Sequence, residues 1–161
     1  MGALNILLVD DDRNLVTTLS YGLNKAMGGA ISVDVCFNDT EALAMLTTRR
    51  FDVVISDFNM PGASGLELLN KIRQKHSEMI LVLITAYGTD ALEEEIHRIG
   101  IGYLTKPFEP TRLVQIIHDL IQGKPKKNQT ENEPRILAPA DNAGLGCLSG
   151  KAPTESIIPK L

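Results

Sequence analysis

Tryptophan is absent from these 161 residues, aromatics make up only 4%, and there are just two cysteines. Cys36 lies in an alternating apolar segment and Cys147 in a polar one, with no metal-ligand spacing around either. A disulfide-stapled secreted fold is excluded, and two reduced thiols in a cytoplasmic protein are expected. No apolar run reaches the ~18 residues of a membrane span. Asp10, Asp11 and Asp12 break the first apolar run and no basic segment precedes it, so no secretory signal is expected. Basic charge is short as well. Sixteen Lys and Arg face 20 Asp and Glu, for a net charge of −4 and a pI near 5.4. With helix–turn–helix and zinc patterns also missing, direct nucleic-acid binding is not expected.

The composition changes near Gly123. All aromatic residues precede it, whereas five of the eight prolines follow it. Residues 1–123 carry a net charge of −6 and residues 124–161 one of +2. The reading is a folded domain over 1–123 and a mostly disordered extension over 124–161. Within that extension Ile136-Leu137, Leu145, Cys147-Leu148 and Ile157-Ile158 form short apolar islands, which leaves open a docking segment.

The domain alternates strand and helix. LNILLV (4–9) is a continuous apolar strand, after which Asp12 can cap a helix with Leu15, Leu19, Leu23 and Ala26 on one face. Gly28-Gly29 ends that helix. ISVDVCF (31–37) alternates, as a strand near an edge does, and Asp39 or Thr40 starts a helix with Ala42, Leu43 and Leu46 inward. Val53, Val54 and Ile55 form a third strand, buried on both faces. SGLELLNKIRQK (64–75) is a third helix and MILVLIT (79–85) a fourth strand. TDALEEEIHRIG (89–100) is a short helix with a small apolar side, followed by strand IGYLT (101–105). A last helix from Glu109 aligns Leu113, Ile116, Ile117, Leu120 and Ile121. Five such units predict an α/β, doubly wound, mostly parallel sheet with right-handed crossovers. All strand C-terminal ends then share one edge, where such folds bind ligands.

The residues closing those strands carry chemistry. They are Asp10 and Asp11 after the first strand, Asp57 after the third, Thr85 after the fourth, and Thr105-Lys106-Pro107 after the fifth. Three carboxylates brought together repel, and the single charge of Lys106 does not offset them. A hard divalent ion with oxygen ligands does, and magnesium fits because it binds through one or two carboxylates and keeps its waters. A divalent site beside a lysine and a hydroxyl handles phosphoryl groups, either on a bound substrate or, through a carboxylate nucleophile, on the protein itself. Two other classes fit less well. A dehalogenase-type phosphohydrolase wants DxDx[TV], but Asp10-x-Asp12 is followed by Arg13-Asn14. A nucleotide or flavin binder wants a Gly-rich loop where this chain is acidic.

Taken together, LLVDDD, DVVISDFNMPGASGLELL, VLITAYG and YLTKPF resemble the receiver domain of bacterial two-component response regulators, over residues 4–122. The resemblance implies a flavodoxin-like (βα)5 fold of strand order 2-1-3-4-5. It implies that Asp57 is the phospho-acceptor and that Asp11 is a direct metal ligand, with Asp10 assisting. Asp57 and the backbone carbonyl of Asn59 complete the set, and the cation is magnesium (Mg2+) or another divalent ion such as manganese (Mn2+). Thr85 would hydrogen-bond the phosphoryl group, Lys106 would pair with it, and Tyr103 would change position on activation. Lys106-Pro107 would be a cis peptide. Asn59 and Tyr87, two residues beyond Asp57 and Thr85, are where such domains tune the lifetime of the aspartyl phosphate. The implied donor is a sensor histidine kinase or a phosphotransfer protein. The implied output is a protein contact through the face of the fourth helix, fifth strand and fifth helix, with homodimerisation open. Such a domain is a signalling module, catalysing only its own phosphorylation and slow dephosphorylation. ITAYGT and YLTKPF resemble most the receivers of enhancer-binding transcription activators, which leaves a larger regulator open.

Overall fold

The computed structural model describes residues 3–123, and the extension with its apolar islands lies outside the described residues. Ten elements alternate without exception: β1 (Leu4–Val9), α1 (Arg13–Ala26), β2 (Ile31–Cys36), α2 (Asp39–Thr48), β3 (Val53–Asp57), α3 (Gly65–Lys75), β4 (Ile80–Thr85), α4 (Asp90–Ile99), β5 (Gly102–Thr105) and α5 (Pro110–Ile121). The sheet is parallel throughout, in the order β2-β1-β3-β4-β5. It has the flavodoxin-like topology that the resemblance implies.

Local chemistry places the helix starts. Asp12 caps α1, its carboxylate accepting from the backbone N–H of Asn14 and Leu15 at 2.9 and 3.2 Å. Asn38, one residue ahead of the expected start, caps α2 by accepting from the Glu41 N–H. The Glu41 carboxylate reaches back to accept from the N–H of Phe37, the residue before the cap. Ser64 and Thr89 cap α3 and α4 through their hydroxyls.

The two faces of the sheet carry separate cores. Ile6, Leu8, Val53, Ile55, Val82 and Ile84 point to the side covered by α1 and α5. Leu7, Val9, Val54, Leu81 and Leu83 point to the side covered by α2, α3 and α4. Consecutive strand residues therefore bury opposite faces, which is why β3 and β4 read as unbroken apolar runs. Two stripe assignments shift. In α1 the buried residues are Val16, Leu19 and Leu23, while Ala26 is exposed and Met27 packs in its place. In α5 Leu113 and Ile117 are buried and Ile121 is half exposed. The acidic α4 buries only Ile96.

Cys36 ends β2 with no exposure to solvent. Burial, reinforced by the charge of Glu41, pushes its thiol from the ordinary 9.0 up to about 12. Two outcomes follow in a Cys147→Ser background. The native protein resists iodoacetamide at pH 8 and becomes labelled only as urea unfolds it. Stability also declines from about pH 9 upward, where the unfolded thiol ionises and the folded one does not.

Candidate functional site

The ends of β1, β3, β4 and β5 deliver their residues to one edge. Asp57 is the last residue of β3, in register with Ile84 of β4, and Thr85 ends β4 opposite Thr105 of β5. The Lys106 N–H donates to the Thr85 carbonyl at 2.7 Å, which extends the ladder one residue and turns the lysine over the edge. The Lys106-Pro107 peptide is cis.

Asp10, Asp57 and Thr85 are 3%, 5% and 0% exposed, unusual burial for two carboxylates. The Lys106 ammonium joins them, donating to Asp57 Oδ1 at 2.5 Å and to Asp10 Oδ2 at 3.4 Å. The remaining oxygens are held by backbone. The Asn59 N–H donates to Asp57 Oδ2 at 2.7 Å and the Asp12 N–H to Asp10 Oδ1 at 2.9 Å. Each carboxylate thus folds its own following loop into an Asx-type turn. Burial raises the Asp10 carboxyl above the usual range even though the Asp12 N–H and Lys106 pull it down. Burial also pulls on Lys106, but the hydrogen bond to Asp57 and the charges of Asp10 and Asp57 outweigh it and hold the ammonium above its ordinary value.

Not every predicted residue joins this cluster. Asp11 is exposed on the β1–α1 loop, so two carboxylates rather than three meet Lys106. The Thr85 hydroxyl is turned to the next loop, donating to the Tyr87 carbonyl at 3.0 Å and accepting from the Tyr87 N–H at 3.1 Å. Asn59 contributes its N–H to Asp57, whereas the resemblance singles out its carbonyl. Tyr103 on β5 is half-buried, its ring packed on the α2–α4 side and its hydroxyl without a hydrogen-bond partner among the described residues. Burial, and then the charge of Glu93, raise that hydroxyl above its ordinary range.

Gly65 opens α3 at a point where a side chain does not fit. A Cβ there would stand 1.8 Å from the Asp57 carbonyl oxygen and 2.7 Å from Ser56 Oγ. The first residue of α3 is pressed against the strand that ends in Asp57, and its N–H donates to the Phe58 carbonyl at 2.9 Å.

Among the described residues no group of three or more acidic, histidine or cysteine side chains forms a ready metal cage. The donor chemistry nevertheless fits a hard divalent ion that keeps its waters. It is all oxygen, and two buried carboxylates face a single ammonium.

A doubly wound sheet with buried acids and a lysine at its switch-point edge defines a class of phosphoryl-handling α/β proteins. Similarity to known proteins narrows it. Residues 6–118 match the family model of the response regulator receiver domain. The chain is 34% identical to the response regulator protein FleR of Pseudomonas aeruginosa over 97% of its own length and 32% of that protein's. It is 32% identical to the DNA-binding transcriptional regulator NtrC of Klebsiella pneumoniae, over 85% of this chain and 29% of that one. The chain thus spans about a third of these relatives. Among solved structures, the chemotaxis response regulator CheY4 of Vibrio cholerae superposes with a TM-score of 0.66 at 29% identity, over 74% of this chain and 99% of that one. The chain belongs to the response regulator receiver family, whose general function is phosphorylation-dependent signalling in two-component systems. Receivers of this family generally use magnesium. No helix among the described residues is long and apolar enough to cross a membrane.

Proposed function

We propose that Asp57 accepts a phosphoryl group from a phosphohistidine on a sensor histidine kinase or phosphotransfer protein, and that Asp10, Asp11, Thr85, Lys106 and Tyr103 serve that event. The observation that carries this reading is the Lys106 ammonium bridging two buried carboxylates at the C-terminal edge of the central strands. An Asp57 oxygen attacks phosphorus, the P–N bond breaks, and the imidazole leaves with its electron pair and takes up a proton. Lys106 already touches Asp57 and neutralises charge on the transferring group without having to reorganise. Asp10, Asp57, the exposed Asp11 and the Asn59 carbonyl would hold magnesium. Bound there, the ion supplies electrostatic stabilisation of the phosphoryl oxygens.

The resulting acyl phosphate draws the Thr85 hydroxyl away from Tyr87, Tyr103 changes position, and the surface of α4, β5 and α5 changes with it. A protein partner in the cytoplasm reads that surface. Slow hydrolysis of the aspartyl phosphate resets it, so turnover of an external substrate is not its role. The β4–α4 loop and lightly packed α4 suit a two-state element, because little buried area resists their movement.

Acetyl phosphate with magnesium, followed by intact mass, tests the acceptor. The wild type gains one phosphoryl group and Asp57→Asn gains none. An equal gain in both would assign the acceptor elsewhere.

A further inference from the structure

We propose that Gly22, within α1, is a positioning residue for Lys106. It seats the start of α5, and the start of α5 holds the loop that aims the lysine at Asp57. The consequence for phosphoryl transfer rests on reading Lys106 as the cation that serves it; the contact itself does not.

A Cβ at position 22 would stand 2.8 Å from both Cβ and Cγ of Pro110. Carbon atoms in good contact are about 3.5–4.0 Å apart. The obstacle is a proline ring closed onto its own backbone, so it cannot turn aside as the end of a long side chain does. The backbone at Gly22 is helical, so glycine supplies close approach here and not conformational freedom. In a helix interior glycine is otherwise a poorer choice than alanine.

Of the two helices, α5 is the one that yields to a side chain at position 22. Asp12 caps α1, and Val16, Leu19 and Leu23 bury it against the sheet. The start of α5 is held less firmly. Its cap residue Glu109 makes no side-chain cap hydrogen bond, and its first buried residue is Leu113. Backing that first turn away from α1 pulls on Lys106, four residues before Pro110. The intervening segment absorbs little of the shift. Pro107 and Pro110 have fixed φ, and Phe108 between them packs on the same core as α1 and α5. On its other side Lys106 is tied to the sheet, its N–H donating to the Thr85 carbonyl at 2.7 Å. Its ammonium reaches Asp57 Oδ1 at 2.5 Å and Asp10 Oδ2 at 3.4 Å. The second contact is already long for a hydrogen bond, so a small displacement of the loop removes it first.

Amide exchange followed by NMR tests the contact without any phosphodonor. In Gly22→Ala the Lys106 N–H exchanges roughly tenfold faster, while the amides of Leu8 and Ile55 in the central strands keep their wild-type rates. Uptake from acetyl phosphate with magnesium, followed by intact mass, falls roughly fivefold because the lysine is misplaced. Pro110→Gly removes both obstructing carbons. In that background Gly22→Ala leaves exchange and uptake close to those of its parent. In a Lys106→Met background Gly22→Ala costs little further uptake, since the group that it aims is gone, whereas a general structural loss costs the same with or without the lysine.

A folded Gly22→Ala protein with unchanged Lys106 exchange overturns the proposal. So do equal losses in the Pro110 and Pro110→Gly proteins, an equal fold-loss of uptake in Lys106→Met, or unfolding of Gly22→Ala that Pro110→Gly does not rescue. If Gly22→Ala frees the Lys106 amide while the wild type itself takes up no phosphoryl group, the positioning of Lys106 stands and the phosphoryl-transfer reading fails.

Discussion

Lys106→Met unfolds at lower urea concentration than the wild type at pH 7 in EDTA, by about 2 kcal/mol, and most of that deficit disappears by pH 4. Removing one partner of a buried ion pair costs about 3–5 kcal/mol, because the charge left behind stays desolvated. Lys106 keeps 28% of its side-chain exposure, which reduces the figure. Asp10 and Asp57 lose their common cation in the variant and face each other at 4% and 7% side-chain exposure. The sign with pH follows from Asp10. Its carboxyl is already raised by burial in the folded state, so the native site binds a proton more readily than the unfolded chain does. Ionised Asp10 thus subtracts stability above the folded pKa and stops doing so as pH falls through it. Without Lys106 the carboxyl rises further, and more stability returns on acidification. Asp57→Asn in the same background restores the pH 7 midpoint, because it removes one of the opposed charges. Millimolar magnesium recovers part of the loss. A deficit independent of pH and of Asp57→Asn would assign the loss to packing of the lysine stem rather than to charge.

That two buried acids and a lysine meet is legible from strand ends alone. Each lies within one residue of the end of its strand, and parallel topology leaves those ends no other edge to occupy. The caps are legible for the same local reason, since Asp12 precedes its helix by one residue and needs no tertiary partner. What sequence does not supply is side-chain direction. Thr85 ends its strand as expected, yet its hydroxyl bonds the Tyr87 backbone, a choice made by the following loop. The sequence places Asp10 and Asp11 together after the first strand and does not say which is buried. Only β1 pairing, which carries Asp10 inward with its N–H donating to the Cys36 carbonyl, separates a buried acid from an exposed one. The Asn59 N–H on Asp57 has a usable signal, because Asp-x-x segments that start turns bond their own second residue onward. The same pattern recurs from Asp10 to Asp12.

Gly65→Ala loses at least about 3 kcal/mol of stability, and Gly62→Ala, three residues earlier, loses about 1–2. Gly62 lies in the β3–α3 loop and Gly65 opens α3. The structure separates them. Gly62 has φ +99° and nothing within 4 Å of where a methyl group would stand, so alanine there meets only the backbone strain of a left-handed conformation, about 1–2 kcal/mol. Gly65 has no such dihedral, but its Cβ would lie 1.8 Å from the Asp57 carbonyl oxygen and 2.8 Å from the carbonyl carbon. Overpacking costs about 1–3 kcal/mol when side chains can adjust. Here the obstructing atoms are the backbone of β3, hydrogen-bonded to β1 on one side and β4 on the other, so α3 must back away instead. Withdrawing α3 loosens the packing of Leu66, Leu68, Leu69 and Ile72 and moves the peptide of the acceptor residue itself. Phosphoryl uptake from acetyl phosphate therefore falls at least tenfold in whatever fraction of Gly65→Ala remains folded, while Gly62→Ala keeps uptake near wild type. Urea midpoints and intact mass on the same samples check both halves. Equal stability losses at 62 and 65 would mean that α3 is not seated on β3, and with that the geometry that holds Asp57 at the sheet edge would have to be redrawn.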